Sequence, residues 1–188
     1  MTGPTFVWLE IAGPGPSAGP ATMTIEDWHR VIEEAAALGV AMVQFIGGEP
    51  ALPTLADHAL QAGMEVEVLS DLVRVPARLP RVRLTTSYYS DELEEHESRI
   101  PAVRAGRGTG HRPSGVDALC GGCAQGKVAI GPTGDVWPCV FARWLPVGNV
   151  RVSPLQEIVT GPALRSTTDA LRRAFEERNA APCGPRRG

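Results

Sequence analysis

The sequence predicts an α/β fold of parallel βα units with a cysteine-bearing β-hairpin near its end, and three observations carry that reading. Apolar, β-branched stretches alternate with amphipathic helical ones through residues 5–88, the pattern of strands joined by crossover helices. Three of the four cysteines fall between residues 120 and 139, as C-x2-C and a third after fifteen intervening residues. The residues between the second and third read as strand, glycine-rich turn and strand, so folding back should bring Cys123 and Cys139 together.

Taken in order, residues 5–11 (TFVWLEI) are apolar enough for a buried strand. Residues 12–20 (AGPGPSAGP) allow only a loop, because proline and glycine at this density defeat both helix and ladder. Thr24, with Asp27 three residues later, opens a helix as a capping pair. Ile25, Trp28, Val31, Ile32 and Ala35 recur at helical spacing, and Gly39 closes the helix. His29 lies on its polar flank and reads as surface. Residues 40–46 form a second buried strand, which ends in Gly47-Gly48-Glu49-Pro50. Thr54 with Asp57 is expected to cap a second helix that Gly63 ends. Residues 64–69 and 82–88 read as the third and fourth strands.

Beyond them, 91–100 (DELEEHESRI) is a charge run and 101–114 an irregular arginine- and glycine-rich stretch. The hairpin follows, with strands at 127–130 and 136–137 around the turn at 131–135. Residues 141–146 (FARWLP) would cover the cysteine site, 148–149 would turn, 154–159 would make a short helix and 163–178 a longer amphipathic one. These features suggest three segments: residues 1–90 as the βα part, 91–116 as linker, and 117–188 as the cysteine module.

Composition limits the function classes. At 188 residues the chain suits one domain or a domain with an appendage. The net charge of −3 supplies no basic field for nucleic acid. No apolar run approaches the length that spans a bilayer, and the N-terminus lacks an export signal, so a cytoplasmic location is expected. There thiols stay reduced, which favours ligands over disulfides. Cys120, Cys123 and Cys139, with Cys183 as the fourth candidate, have the spacing and softness that zinc or an iron–sulfur cluster requires. The plainer alternative is a set of buried thiols or a disulfide pair.

Cys123-x10-Gly134-x4-Cys139, followed by Gly148-Asn149 and Pro154-Leu155-x-x-Ile158, resembles the opening half of a SPASM or twitch domain. Such domains hold auxiliary iron–sulfur clusters at the C-terminus of radical SAM enzymes, many of which modify ribosomally made peptides. Gly47-Gly48-Glu49-Pro50 is similar to the GGEP motif of the same enzymes. The resemblance implies a partial (βα) barrel of about four parallel strands followed by a SPASM-like hairpin and helix. It implies that Gly47, Gly48, Glu49 and Pro50 would meet the amino end of S-adenosylmethionine, with Ser87 a weaker candidate for its other end. It further implies one auxiliary [4Fe–4S] cluster, with zinc as the alternative, held by Cys120, Cys123 and Cys139, with Cys183 or an exogenous group as the fourth ligand.

The chain departs from that family in three places. Only Cys183 follows the hairpin, so the later cysteine-rich half of a full SPASM domain is lacking and two auxiliary clusters cannot be built. The catalytic cluster's C-x3-C-x2-C motif belongs after the first strand, where residues 12–20 contain no cysteine. Only some thirty residues separate Tyr89 from Cys120, too few for two more βα units of about thirty residues each. The reading is therefore a relative of the peptide-modifying maturases, impaired in catalysis, which keeps one C-terminal metal site. The alternative is a non-catalytic α/β module that binds a metal, a peptide or a partner protein, with neither nucleic acid nor membrane as partner.

Overall fold

The computed structural model describes residues 3–11, 23–46, 51–70, 82–88, 102–104, 119 and 122–176. The described residues form a mixed α/β structure in which strands β1 (Phe6–Glu10), β2 (Met42–Ile46), β3 (Glu65–Ser70), β4 (Arg83–Tyr88), β5 (Ala102–Arg104), β6 (Lys127–Ile130), β7 (Asp135–Trp137) and β8 (Gly148–Asn149) share one sheet. Its order is β5-β4-β3-β2-β1-β6-β7-β8. Every pairing from β5 through to β6 is parallel, and the two beyond β6 are antiparallel. Helices α1 (Ile25–Ala37), α2 (Leu52–Gln61), α3 (Leu155–Thr160) and α4 (Pro162–Glu176) complete the fold.

The ends of the first two helices follow from local chemistry. At α1, the Asp27 amide donates to Thr24 Oγ1 at 3.1 Å while the Thr24 amide donates to Asp27 Oδ2 at 3.0 Å. Two of the amides that a helix start leaves without intrahelical partners are thereby satisfied. The same bonding, led by the Thr24 amide, holds the Asp27 carboxyl below its ordinary range. At the far end, Gly39 takes φ +79, its amide reaching the Ala36 carbonyl and that of Val40 the Ala35 carbonyl. This pair of bonds needs a left-handed residue at its centre. α2 stops in the same way at Gly63.

Three expectations need correction. α2 begins at Leu52, not at a Thr54 cap, and its N-cap Ala51 makes no side-chain bond. Pro53 accounts for this: it falls in the first turn, where its fixed φ suits the helix and its missing N–H is no loss. The stretch expected to be irregular at 101–114 contains β5, parallel to β4. Gly148 and Asn149, expected to turn, form β8 against β7. The loop at 12–20, the GGEP segment and the 91–100 charge run lie outside the described residues.

Alternation along the strands creates two cores. Val7, Leu9, Val43, Phe45, Val66, Val68, Val128 and Ile130 face α1, α2 and α3 in the larger one. Burying each such side chain contributes about 1.5–3 kcal/mol. On the opposite face Trp8, Ile46 and Ala129 meet a second core built from Cys123, Trp137, Cys139, Val140 and Ala142. α4 joins the two, with Leu164 in the larger core and Leu171 and Phe175 in the second. The cysteine hairpin thus extends the sheet itself, since β6 pairs with β1 from Phe6↔Lys127 to Leu9↔Ile130.

Candidate metal centre

Cys123 ends up beside Cys139 through backbone constraints on both sides. The turn after Cys123 contains Ala124 at φ +59 and Gly126 at φ +67. A left-handed alanine is uncommon and must be held by its surroundings. One such hold is the Ala124 amide, which donates to the Pro138 carbonyl at 2.9 Å, stapling the residue after one cysteine to the residue before the other. The Thr5 amide donates to the Gly126 carbonyl at 2.8 Å and ties the turn to the start of β1.

On the other side, β6 and β7 pair antiparallel, Ala129 opposite Trp137 and Ile130 opposite Val136. The turn between them is closed by Gly131 N to Asp135 O and Gly134 N to Gly131 O, each 2.9 Å, with Gly134 at φ +86. Asn149 braces it from β8, its amide donating to the Thr133 carbonyl at 3.1 Å and to Asp135 Oδ1 at 2.9 Å.

Cys123 and Cys139 are both buried thiols, 3% and 4% exposed, and no disulfide joins them. The hydrogen bond to Cys139 and then burial push the Cys123 thiol far above the ordinary range, with the nearby Lys127 charge pulling weakly the other way. Two thiols in contact cannot both ionise against each other in a dry setting, but a bound cation removes that penalty by taking the place of the protons. The donor chemistry therefore fits a thiolate-bound metal or cluster: two soft ligands, already adjacent, on braced backbone. Among the described residues no three ligating side chains form a group able to hold a metal. Cys120 and Cys183, the other two candidates, lie outside them, as do Gly47, Gly48, Glu49 and Pro50. Ser87 is in β4, paired in register with Val103 of β5.

Sequence reasoning missed two side-chain pairs. The first is Glu10 with Arg143. Glu10 closes β1 and is buried at 6% exposure, the one charged side chain so placed among the described residues. Arg143 Nη2 donates to both of its oxygens, at 2.6 and 2.7 Å, and Nε to Oε2 at 3.2 Å. The guanidinium also stands 5.9 Å from the centroid of the Trp137 ring. A lone carboxylate ending an apolar strand was the available signal.

The second pair is His29 with His58, stacked between α1 and α2 with ring centroids 4.3 Å apart. His29 is therefore not a plain surface residue. Both Nε2 atoms are buried without a hydrogen-bond partner. Glu33 Oε1 lies 3.3 Å from His58 Nε2 but lacks hydrogen-bond geometry.

No helix among the described residues is long and apolar enough to cross a membrane. No curated protein matches the sequence. Residues 120–185 match the family model of the SPASM iron–sulfur cluster-binding domain. That interval begins at Cys120 and ends just past Cys183, so it takes in all four cysteines, and over it the chain is similar to a SPASM/twitch-like domain.

Proposed function

We propose that this chain is a radical-SAM-related protein of the peptide-maturase kind that has given up the chemistry of S-adenosylmethionine and keeps one thiolate-bound centre, an auxiliary-type [4Fe–4S] cluster. The observation that carries the reading is the buried contact between Cys123 and Cys139, inside an interval that matches an iron–sulfur cluster-binding domain. Cys120 and Cys183 are the remaining ligands in this proposal. When bound, a cluster supplies electron storage or a rigid cross-link. The chain's own part is to exclude water and to hold the sulfurs on the β6–β7 hairpin.

Impaired catalysis is proposed from the loop at 12–20, which has no thiolate where the family's catalytic cluster is held. Gly47 to Pro50 and Ser87 remain candidates for contact with the cofactor or with a nucleotide-like remnant of it. The proposed role is binding: the α/β sheet and its metal module present a surface to a peptide or to a partner enzyme that performs the reaction.

The test is anaerobic purification followed by iron, sulfide and zinc analysis, with absorption spectra, of wild type and Cys139→Ser. Brown protein with iron and sulfide in equal amounts, lost in the variant, is the expected result. Colourless protein with one zinc per chain moves the reading to a structural zinc site. Neither metal, or metal content indifferent to Cys139, refutes a thiolate centre. Reductive cleavage of S-adenosylmethionine above background would overturn the proposal that catalysis is lost.

A further inference from the structure

Glu10 and Arg143 are 133 residues apart in sequence, yet they meet in a short, forked contact at 2.6 and 2.7 Å. A hydrophobic pair of similar volume would hold the two segments together about as well, since removing a carboxylate and a guanidinium from water offsets most of their attraction. What the ion pair adds is direction. A guanidinium that grips one carboxylate at three points fixes the rotation of its own chain segment, which apolar packing does not.

The segment so fixed is that of Cys139. The Ala142 amide donates to the Cys139 carbonyl at 2.9 Å, and Arg143 follows directly on that turn. Its guanidinium lies over Trp137, two residues before the cysteine. Arg143 thus grips the hairpin on both sides of Cys139 while its charge is anchored to the end of β1. The side chain is 35% exposed, so it reaches the surface from the end of β1.

We propose that the Glu10–Arg143 pair is a latch that positions Cys139 against Cys123 and couples whatever the thiolates hold to the carboxyl end of β1. Arg143 and Glu10 are positioning residues in this proposal, which rests on the thiolate centre proposed above. Coupling of this kind is reciprocal: a metal on the sulfurs tightens the latch, and the latch tightens the metal.

The experiment uses the full chain as Glu10→Gln, Arg143→Met, the double variant and Arg143→Lys, loaded with Co2+ as a probe whose visible bands report thiolate geometry. Four readouts are taken: thermal stability, the Co2+ spectrum, its release to a chelator, and the alkylation rate of Cys139 in metal-free protein by mass spectrometry. The expected result is weaker Co2+ binding by about 10-fold or more in each single variant, the scale at which removing a ligand's supporting partner acts. The double variant should recover thermal stability, because no unpaired charge stays buried, but not the spectrum or the release rate. Recovery of stability, spectrum and release rate together in the double variant would reduce the pair to a packing element and overturn the latch. Arg143→Lys, which keeps the charge without the fork, should resemble the single variants in spectrum while still folding, and a wild-type spectrum there also overturns the latch. Should the wild type bind no metal, the centre is refuted and the latch is judged on alkylation alone. Cys139 reacting faster in the double variant than in wild type supports it, and equal rates overturn it.

Discussion

Gly131 separates steric from conformational demands on the hairpin, and replacing it with alanine gives a magnitude that follows from coordinates. A methyl at this position would lie 2.2 Å from Trp137 Cη2 and 2.6 Å from Cζ3. Carbon atoms pack at about 3.5–4.0 Å, so the overlap exceeds an ångström and the indole must move. It has little room, being packed with Ala129, Cys123 and Cys139 and only 7% exposed. Gly131 is not one of the left-handed positions, so the penalty is purely one of overpacking. Such overpacking costs about 1–3 kcal/mol. At roughly 2–4 °C per kcal/mol for a chain of this size, Tm should fall by about 2–12 °C.

Gly39→Ala is the matched control. Nothing lies within 4 Å of its added methyl, but φ is +79, a cost of about 1–2 kcal/mol. Calorimetry with cysteine alkylation distinguishes the two. Both variants should melt lower, but only Gly131→Ala should expose Cys139, and Trp137→Leu should relieve Gly131→Ala alone, because the two groups touch. Wild-type melting for Gly131→Ala, or equal alkylation in the two variants, would refute the packing argument.

Two further outcomes follow from the titrating groups. Cys123 is held above its unfolded value of 9.0, so its contribution to metal-free stability is present below pH 9.0 and is lost as pH rises beyond it. Urea titrations above and below that value check the sign, and Cys139→Ala, which removes the largest cause, should flatten the dependence and speed Cys123 alkylation. Asp27 is held below 3.8, so the capping box contributes above that pH and weakens as pH falls through the lowered value. Thr24→Ala should cost about 0.5–2 kcal/mol at neutral pH and show a smaller loss on acidification than wild type.

What was legible in the sequence is what repeats or is local. The spacing of Trp28, Val31, Ile32 and Ala35 marks the buried stripe of α1, and Thr24 with Asp27 marks its start within four residues. Cys123 and Cys139 were legible as neighbours because a single hairpin brings them together. α2 was misread at its start because Thr54 and Asp57 imitate a capping pair while Pro53 has already begun the helix. β5 and β8, three and two residues long, are too short for any periodicity and exist because a neighbour supplies the ladder. The lone carboxylate ending β1 hints at Glu10, but its pairing with Arg143, and that of His29 with His58, depends on where distant elements come to rest.

Placing β6 on the free side of β1 has a consequence for how the protein is made. β1 leaves the ribosome before β6 and cannot be enclosed on that side until residue 130 has followed, about 120 residues later, an interval of roughly 6–24 s at elongation rates of about 5–20 residues per second. Throughout that time one flank of the nascent ladder, with Trp8 on it, stays open to any other extended chain. A binding factor that covers β1 early would speed maturation, and a fragment cut before residue 127 would keep that flank open permanently.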